Sequence, residues 1–152
     1  MICAIVIALL AACAIDPKDG RPGLGLTGEV YQQAIEDWSF TEDSGEIFIE
    51  TVTSYRIPHS VTAWCVTVGE DLYVSADDAD KKNWVANVAR DPNVRLKIKG
   101  KIYELKLVPV TDRTTIKAID SGFVRKYEYE EEEDDEFYED MTFGYWRVVE
   151  RD

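Results

Sequence analysis

The chain has 152 residues, 30 of them acidic and 17 basic, so its formal net charge is −13 at pH 7. This length suits one domain with a real core, and the 45% hydrophobic content excludes wholesale disorder. So negative a chain is also unsuited to general nucleic-acid binding, because a phosphate backbone requires a broad basic face.

The first twelve residues are apolar without interruption and lead to Cys13. A membrane-spanning helix needs about 20 apolar residues, so residues 1–12 are predicted to be a signal peptide. The sequence Leu10-Ala11-Ala12-Cys13 resembles the lipobox of bacterial lipoproteins, which implies cleavage before Cys13 and lipidation of its thiol. The resemblance predicts a membrane-anchored lipoprotein of the bacterial cell envelope, facing the periplasm or exterior. A mis-assigned start codon or a buried apolar arm is the alternative.

The segment after the cysteine, residues 14–27, is rich in Pro and Gly and has no periodicity, which predicts a flexible tether. The folded domain is predicted to occupy residues 28–152. Apolar positions at helical spacing predict a short amphipathic helix from Val30 to Trp38. Cys65 lies in an alternating run, which favours a small buried strand residue over a nucleophile.

From Glu46 the hydrophobic pattern changes to period two, which predicts six strands, mostly in hairpins. In chain order they are EIFIETVT, VTAWCVTV, DLYVSA, VRLKI, IYELKLVPV and MTFGYWRVVERD. Closing such a set into a barrel removes its exposed edges. The predicted fold class is therefore mainly β with peripheral helices (α+β), as a small six-stranded antiparallel barrel.

Two helices are predicted between these strands. The first runs from about 81 to 90, capped by Asp77, Asp78 and Asp80, and the second from about 111 to 126. An acidic insertion at 128–140 follows. We interpret it as a solvated helix or loop and predict no metal site, because like charges in series repel and no spaced-ligand pattern is present.

The basic residues are concentrated in one part of this acidic chain. Between 81 and 106 there are eight Lys or Arg residues against two acidic ones, Asp91 and Glu104. Charge segregated in this way suggests a site for a small anion. Lys81 and Lys82 stand at a predicted helix start, where free N–H groups and the helix dipole favour a phosphate. The alternative is that both lysines are simply exposed.

The order LYVSADDADKKNW, VARDPNVRLKI, GKIYELKLVPV resembles the flavin-binding split β-barrel superfamily, which includes pyridoxamine 5′-phosphate oxidases and deazaflavin-dependent nitroreductases. Upstream, TVTSYRIPHSVTAWCV resembles the T-x-G-R-x-S-G-x-P-H-T-V-P-x-W pattern of the deazaflavin branch. The resemblance implies a six-stranded split barrel in which Ser75, Lys81 and Lys82 hold the cofactor phosphate, beside Trp84. It also implies that the flavin ring and its phosphate are lined by Arg56, His59, Ser60, Val61 and Thr62.

The resemblance further implies FMN or the deazaflavin cofactor F420, a small-molecule substrate and a homodimer. The function it predicts is a lipid-anchored flavin-dependent oxidoreductase in which His59, the catalytic candidate, hydrogen bonds the ring or a substrate. Two alternatives stay open. One is a non-catalytic envelope module that binds a small anion, a haem-like ligand or a partner protein. The other is an interaction protein that uses the acidic 128–140 segment.

Overall fold

The computed structural model describes residues 14–128 and 142–152. The predicted signal peptide, Cys13 and nearly all of the acidic insertion lie outside these residues. Neither α-helix in the described part of the chain has the length and hydrophobicity needed to cross a membrane.

The described residues form one sheet of eight strands. The strands are β1 (Glu29–Val30), β2 (Ile47–Val52), β3 (Pro58–Ala63), β4 (Cys65–Val68), β5 (Asp71–Ala76), β6 (Asn93–Ile98), β7 (Lys101–Pro109) and β8 (Gly144–Glu150). Seven of them follow an antiparallel path in the order β3-β2-β6-β7-β8-β5-β4, and β1 pairs parallel to β7. The hairpins β4–β5 and β6–β7 confirm the predicted pairings.

The sheet is curled into a half-barrel. Its two end strands, β3 and β4, are consecutive in the chain and separated only by Trp64. The prediction of a single strand VTAWCVTV was therefore wrong, and the antiparallel path has seven strands instead of six. The physical reason is that residues before Trp64 pair with β2, whereas residues after it pair with β5.

Two α-helices flank the sheet, α1 (Asn83–Arg90) and α2 (Arg113–Tyr127). Asp112 caps α2, because its carboxylate accepts a hydrogen bond from the Thr115 N–H at 2.8 Å. The predicted aspartate cap of α1 was wrong. A 3-10 turn, Ala79–Lys81, precedes the helix; it contains Asp80 and follows Asp77 and Asp78. Lys82 stands at the N-cap position of the helix without a side-chain cap.

The helix predicted from Val30 to Trp38 was also wrong. The N–H of Tyr31 donates to the Ile102 carbonyl of β7 at 2.8 Å, and the N–H of Trp38 donates to the Glu70 carbonyl at 3.1 Å. The Trp38 N–H, which a helix would bond internally, is thus bonded to another part of the domain, and Tyr31 is held against β7. The only helical turn nearby is a 3-10 turn, Ser39–Thr41.

The core has two parts. A large cluster fills the concave side of the sheet, where α1 contributes Trp84 and Val88. A smaller cluster lies between the sheet and α2, and its buried members are Val66, Tyr73, Ile119 and Phe123. Cys65 is fully buried in β4, which confirms its predicted place in a strand.

Residues 14–27, assigned to a flexible tether by the sequence analysis, lie against the sheet. Gly23 exchanges two backbone hydrogen bonds with Ser60 of β3, at 2.8 and 3.1 Å. Leu26 is 5% exposed, and its N–H donates to the Glu50 carboxylate at 2.7 Å. This segment covers the outer face of β2 and β3.

Candidate functional site

Two of the four predicted site residues on β3 face the inside of the half-barrel. In the β2–β3 register His59 stands opposite Thr51, and Val61 stands opposite Ile49, whose side chain is fully buried. The ring atom Nδ1 of His59 is buried and has no hydrogen-bond partner among the described residues. A buried polar nitrogen without a partner costs free energy, so a hydrogen bond from a ligand to this atom would be favourable.

The other two β3 residues face outwards, because successive side chains of a strand point to opposite faces. Ser60 is 0% exposed and covered by residues 14–27, since a Cβ at Gly23 would lie 2.7 Å from its Oγ. Thr62 stands opposite Phe48 on the same outer face. One ligand on one face cannot therefore touch the side chains of His59, Ser60, Val61 and Thr62 together.

Arg56 lies in the β2–β3 turn and has a positive φ of 66°. The turn is closed by a hydrogen bond from the Arg56 N–H to the Thr53 carbonyl at 2.9 Å. Its guanidinium is exposed and makes no ion pair or hydrogen bond within the described chain. The residue is flanked by the exposed side chains of Tyr55 and Ile57. Arg56 is thus a free cation at one end of the hairpin.

The lysine pair is exposed but already paired with carboxylates. Lys81 Nζ lies 3.1 Å from Asp78 Oδ1, and Lys82 Nζ lies 3.5 Å from Asp77 Oδ1. Such exposed pairs contribute about 0 to 1 kcal/mol each, so a ligand anion can replace the aspartates. A third carboxylate, that of Asp80, accepts a hydrogen bond from the Thr142 hydroxyl. The loop therefore offers two cations surrounded by three anions.

Ser75 and Trp84 do not join the lysines on one surface. Ser75 pairs with Tyr145 on β8 and alternates with Val74 and Ala76, which belong to the inner core, so its side chain is on the outer face. Trp84 is 5% exposed and packs on Trp146 with ring centroids 5.0 Å apart. The Trp84 side chain is therefore a core side chain in this structure.

Helix α1 separates the two groups of cations. Its last residue, Arg90, donates to the Val52 carbonyl at 3.0 Å, which places this end beside the hairpin that carries Arg56. Lys82 lies at the opposite end of this eight-residue helix, about 12 Å away at the α-helical rise of 1.5 Å per residue. Arg56 and the lysine pair therefore stand near opposite ends of α1. They can hold the two ends of an elongated ligand.

Cys65 lies beside Lys126 but is unsuited to nucleophilic chemistry. Burial raises the pKa of the Cys65 thiol, although the Lys126 ammonium opposes that shift. Lys126 donates to the carbonyl oxygens of Cys65 and Thr41, at 2.8 and 3.0 Å, and to Cys65 Sγ at 3.6 Å. Burial also raises the pKa of Tyr127 to about 12. These contacts join α2 to β4, and burial outweighs the lysine and keeps the thiol protonated.

Solved structures with low sequence identity share this fold. The conserved hypothetical protein Rv2991 from Mycobacterium tuberculosis is 17% identical, with a TM-score of 0.61 over 81% of this chain and 87% of that one. A candidate pyridoxamine 5′-phosphate oxidase from Listeria innocua is 13% identical, with a TM-score of 0.55 over 75% and 90%. An F420 reductase is 16% identical, with a TM-score of 0.50 over 78% and 96%. The chain therefore has a split-barrel fold like that of these proteins.

No curated protein matches the sequence. A family model described as "Uncharacterized protein conserved in bacteria (DUF2255)" matches residues 42–142, which is more than half of the chain. The matched range takes in β2 to α2, and with them the Arg56 hairpin and the lysine pair. The chain therefore belongs to this family of bacterial proteins.

Proposed function

We propose that this protein binds a flavin-type cofactor, FMN or the deazaflavin F420, and acts as a split-barrel oxidoreductase on a small-molecule substrate. The observation that carries the proposal is the unpaired, buried Nδ1 of His59 on the inner face of β3, in a fold like that of an F420 reductase. Arg56 and the lysine pair, at opposite ends of α1, suit an elongated anion.

In this proposal each residue has a defined task. His59 hydrogen bonds the ring or the substrate through Nδ1, and Arg56 attracts a polar group at the same end. Lys81 and Lys82 hold the anionic tail once it displaces Asp78 and Asp77. The cofactor supplies the redox chemistry when bound, and the protein supplies orientation and electrostatics.

Titration of the full-length protein with FMN, riboflavin and F420 tests this proposal. We expect saturable quenching of cofactor fluorescence with a micromolar or lower Kd for one of the three. Lys81→Glu with Lys82→Glu is expected to lower the affinity for FMN more than the affinity for riboflavin, because riboflavin has no phosphate. Arg113→Glu with Lys117→Glu, at two exposed positions of α2, makes the same charge change and is the control. Flat titrations with all three compounds would contradict the proposal.

The second candidate function is a non-catalytic module that binds a small anion, a haem-like ligand or a partner protein. The carboxylates of Asp77, Asp78 and Asp80 weaken the attraction of the lysine pair for phosphate, which favours the haem-like ligand or the partner protein over a phosphate-bearing cofactor. A visible absorption spectrum of the purified protein separates the candidates. Flavin bands support the oxidoreductase, and a Soret band supports the binding module.

We also propose that the protein is a homodimer anchored to the envelope membrane through lipidated Cys13. The support is the resemblance of residues 10–13 to a lipobox and the resemblance of the domain to dimeric split barrels. Cys13→Ser is expected to move the protein from the membrane fraction to the soluble fraction. Analytical ultracentrifugation of that soluble variant measures the dimer. An unchanged membrane fraction would rule out anchoring at this residue.

A further inference from the structure

A groove of about 380 Å³ lies between residues 31–40 and the β6–β7 turn. None of the residues predicted to hold a flavin lines it. Its volume lies within the roughly 300 to 1,000 Å³ range of small-molecule sites. The groove exists because residues 31–38 cross beside β7 as irregular chain instead of forming a helix.

The wall of the groove is aromatic. The rings of Tyr31 and Phe40 lie on either side of Tyr103, with centroids 5.3 and 6.2 Å from its ring. Trp38 supports this wall from the core, at 5.7 Å from Phe40 and 5.6 Å from Tyr103, and is 5% exposed. Such a wall offers stacked and edge contacts to a planar apolar group.

The charged lining of the groove consists of two lysines and two carboxylates. Lys101 makes no ion pair among the described residues, and its ammonium lies 5.4 Å from the centre of the Tyr31 ring. Tyr103 lines the same groove, and its hydroxyl has no hydrogen-bond partner within the described part of the chain. The other lysine of the lining, Lys99, is paired with Asp43 at 2.6 Å, so Lys101 is the ammonium that remains for a ligand. Glu36 and Asp37 also line the groove, and their charges oppose any anion that does not lie against Lys101.

We propose that this groove binds small aromatic monocarboxylates, with the ring against Tyr31 and Phe40 and the carboxylate facing Lys101. A neutral or cationic compound of the same shape lacks the favourable charge. The site is independent of the proposed flavin site, because the two share no residue. Failure of flavin binding would leave this proposal intact.

Three probes with one phenyl ring test the charge requirement: 3-phenylpropionate, 3-phenylpropanamide and phenethylamine. Each is titrated into the full-length ¹⁵N-labelled protein, and amide chemical shifts are followed by NMR. We expect saturable shifts for the carboxylate, with the largest changes at Ala34, Lys101 and Tyr103. A hydrogen bond between two charged groups contributes about 1.5 kcal/mol or more to the binding free energy. The amide should therefore bind at least about tenfold more weakly.

Lys101→Glu should lower the affinity for 3-phenylpropionate by at least the same factor and raise the affinity for phenethylamine. Lys101→Gln should weaken the carboxylate without strengthening the amine. Lys117→Glu on α2 makes the same charge change away from the groove and should leave all three affinities unchanged. The proposal is overturned if the carboxylate gives no saturable shifts, if the shifts map elsewhere, or if Lys101→Glu behaves like Lys117→Glu.

Discussion

Gly122 is the residue at which α2 comes closest to the sheet. A Cβ there would lie 2.8 Å from Val66 Cγ2, and Val66 is fully buried. By intrinsic propensity a glycine weakens a helix, but here its missing side chain allows the packing. Gly122 is thus unfavourable for the helix itself but is required by the close packing of α2 on the sheet.

We therefore expect Gly122→Ala to destabilise the protein. Alanine gains up to about 1 kcal/mol in helix propensity, but overpacking a buried site costs about 1 to 3 kcal/mol. The net loss in the free energy of unfolding should be about 1 kcal/mol, measured by urea denaturation. Ser121→Ala, the exposed neighbour on the same helix, is the control and should change stability little. A stabilised Gly122→Ala variant would show that Val66 can move aside.

Asp77 and Asp78 are expected to set the affinity of the lysine pair for phosphate. Replacing both with Asn removes two negative charges within 3.5 Å of the ammonium groups. Each charge is worth about 1 kcal/mol at contact distance in water, so FMN should bind about tenfold more tightly at low salt.

Riboflavin should bind this double variant and the wild type equally, because it lacks the phosphate. Glu70→Gln removes one exposed charge elsewhere and should alter neither affinity. Calorimetric titration gives both constants. An equal rise in affinity for FMN and riboflavin would mean that the aspartates act on binding of the ring and not of the phosphate.

At the scale of the element, local signals predicted most of the fold. The β4–β5 turn has Gly69 at a φ of 64°, and the β6–β7 turn has Lys99 and Gly100 at 49° and 80°. Such turns are encoded by the residues at the turn itself. Helix α2 likewise has its Asp112 cap in the sequence.

The wrong predictions concern segments whose backbone pairs with residues distant in sequence. Residues 30–38 have helical spacing, but their hydrogen bonds go to β7 and Glu70. Alternation continues through Trp64, so no local signal reports that the pairing partner changes there. In β3, by contrast, the alternation does predict which side chains share a face. Period two places Ser60 and Thr62 away from His59, and only the family resemblance grouped them into one site.

The segment 14–27 should be held to the sheet in a pH-dependent way. Burial alone would raise the pKa of Asp16, but hydrogen bonds from Lys97 and Thr27 outweigh it, so the pKa is lowered in the folded protein. A lowered pKa stabilises the fold above the unfolded value of about 3.9, and that stability is lost as the pH falls through the folded value.

Asp16→Asn should therefore destabilise the protein by about 1 kcal/mol at pH 7. The same loss is expected at pH 5, and wild type and variant should converge below about pH 4. Urea denaturation at pH 7, 5 and 3 measures the difference. Asp19→Asn, in the exposed turn of the same segment, should show no such dependence. A constant difference at all three pH values would exclude the Asp16 charge as its cause.

At the scale of the whole molecule, the charge of −13 is unevenly distributed along the chain. Nine carboxylates lie between residues 129 and 141, whereas the lysines and arginines of β6 and β7 are mostly engaged in ion pairs. These pairs are local, and exposed ones contribute little. The excess negative charge repels throughout the molecule, which destabilises the compact state.

Salt should consequently stabilise this protein. Raising NaCl from about 20 to 500 mM shortens the screening length to well under 10 Å, and the Tm is expected to rise by about 2 to 4 °C for each kcal/mol of repulsion removed. Replacing the nine carboxylates of residues 129–141 with their amides changes the net charge from −13 to −4. At low salt this variant should have a higher Tm than the wild type. Its rise in Tm with salt should be less than half of the rise seen for the wild type. A fall in Tm with salt would mean that the ion pairs of the folded domain outweigh the repulsion. Equal gains in both proteins would mean that the repulsion does not come from residues 129–141.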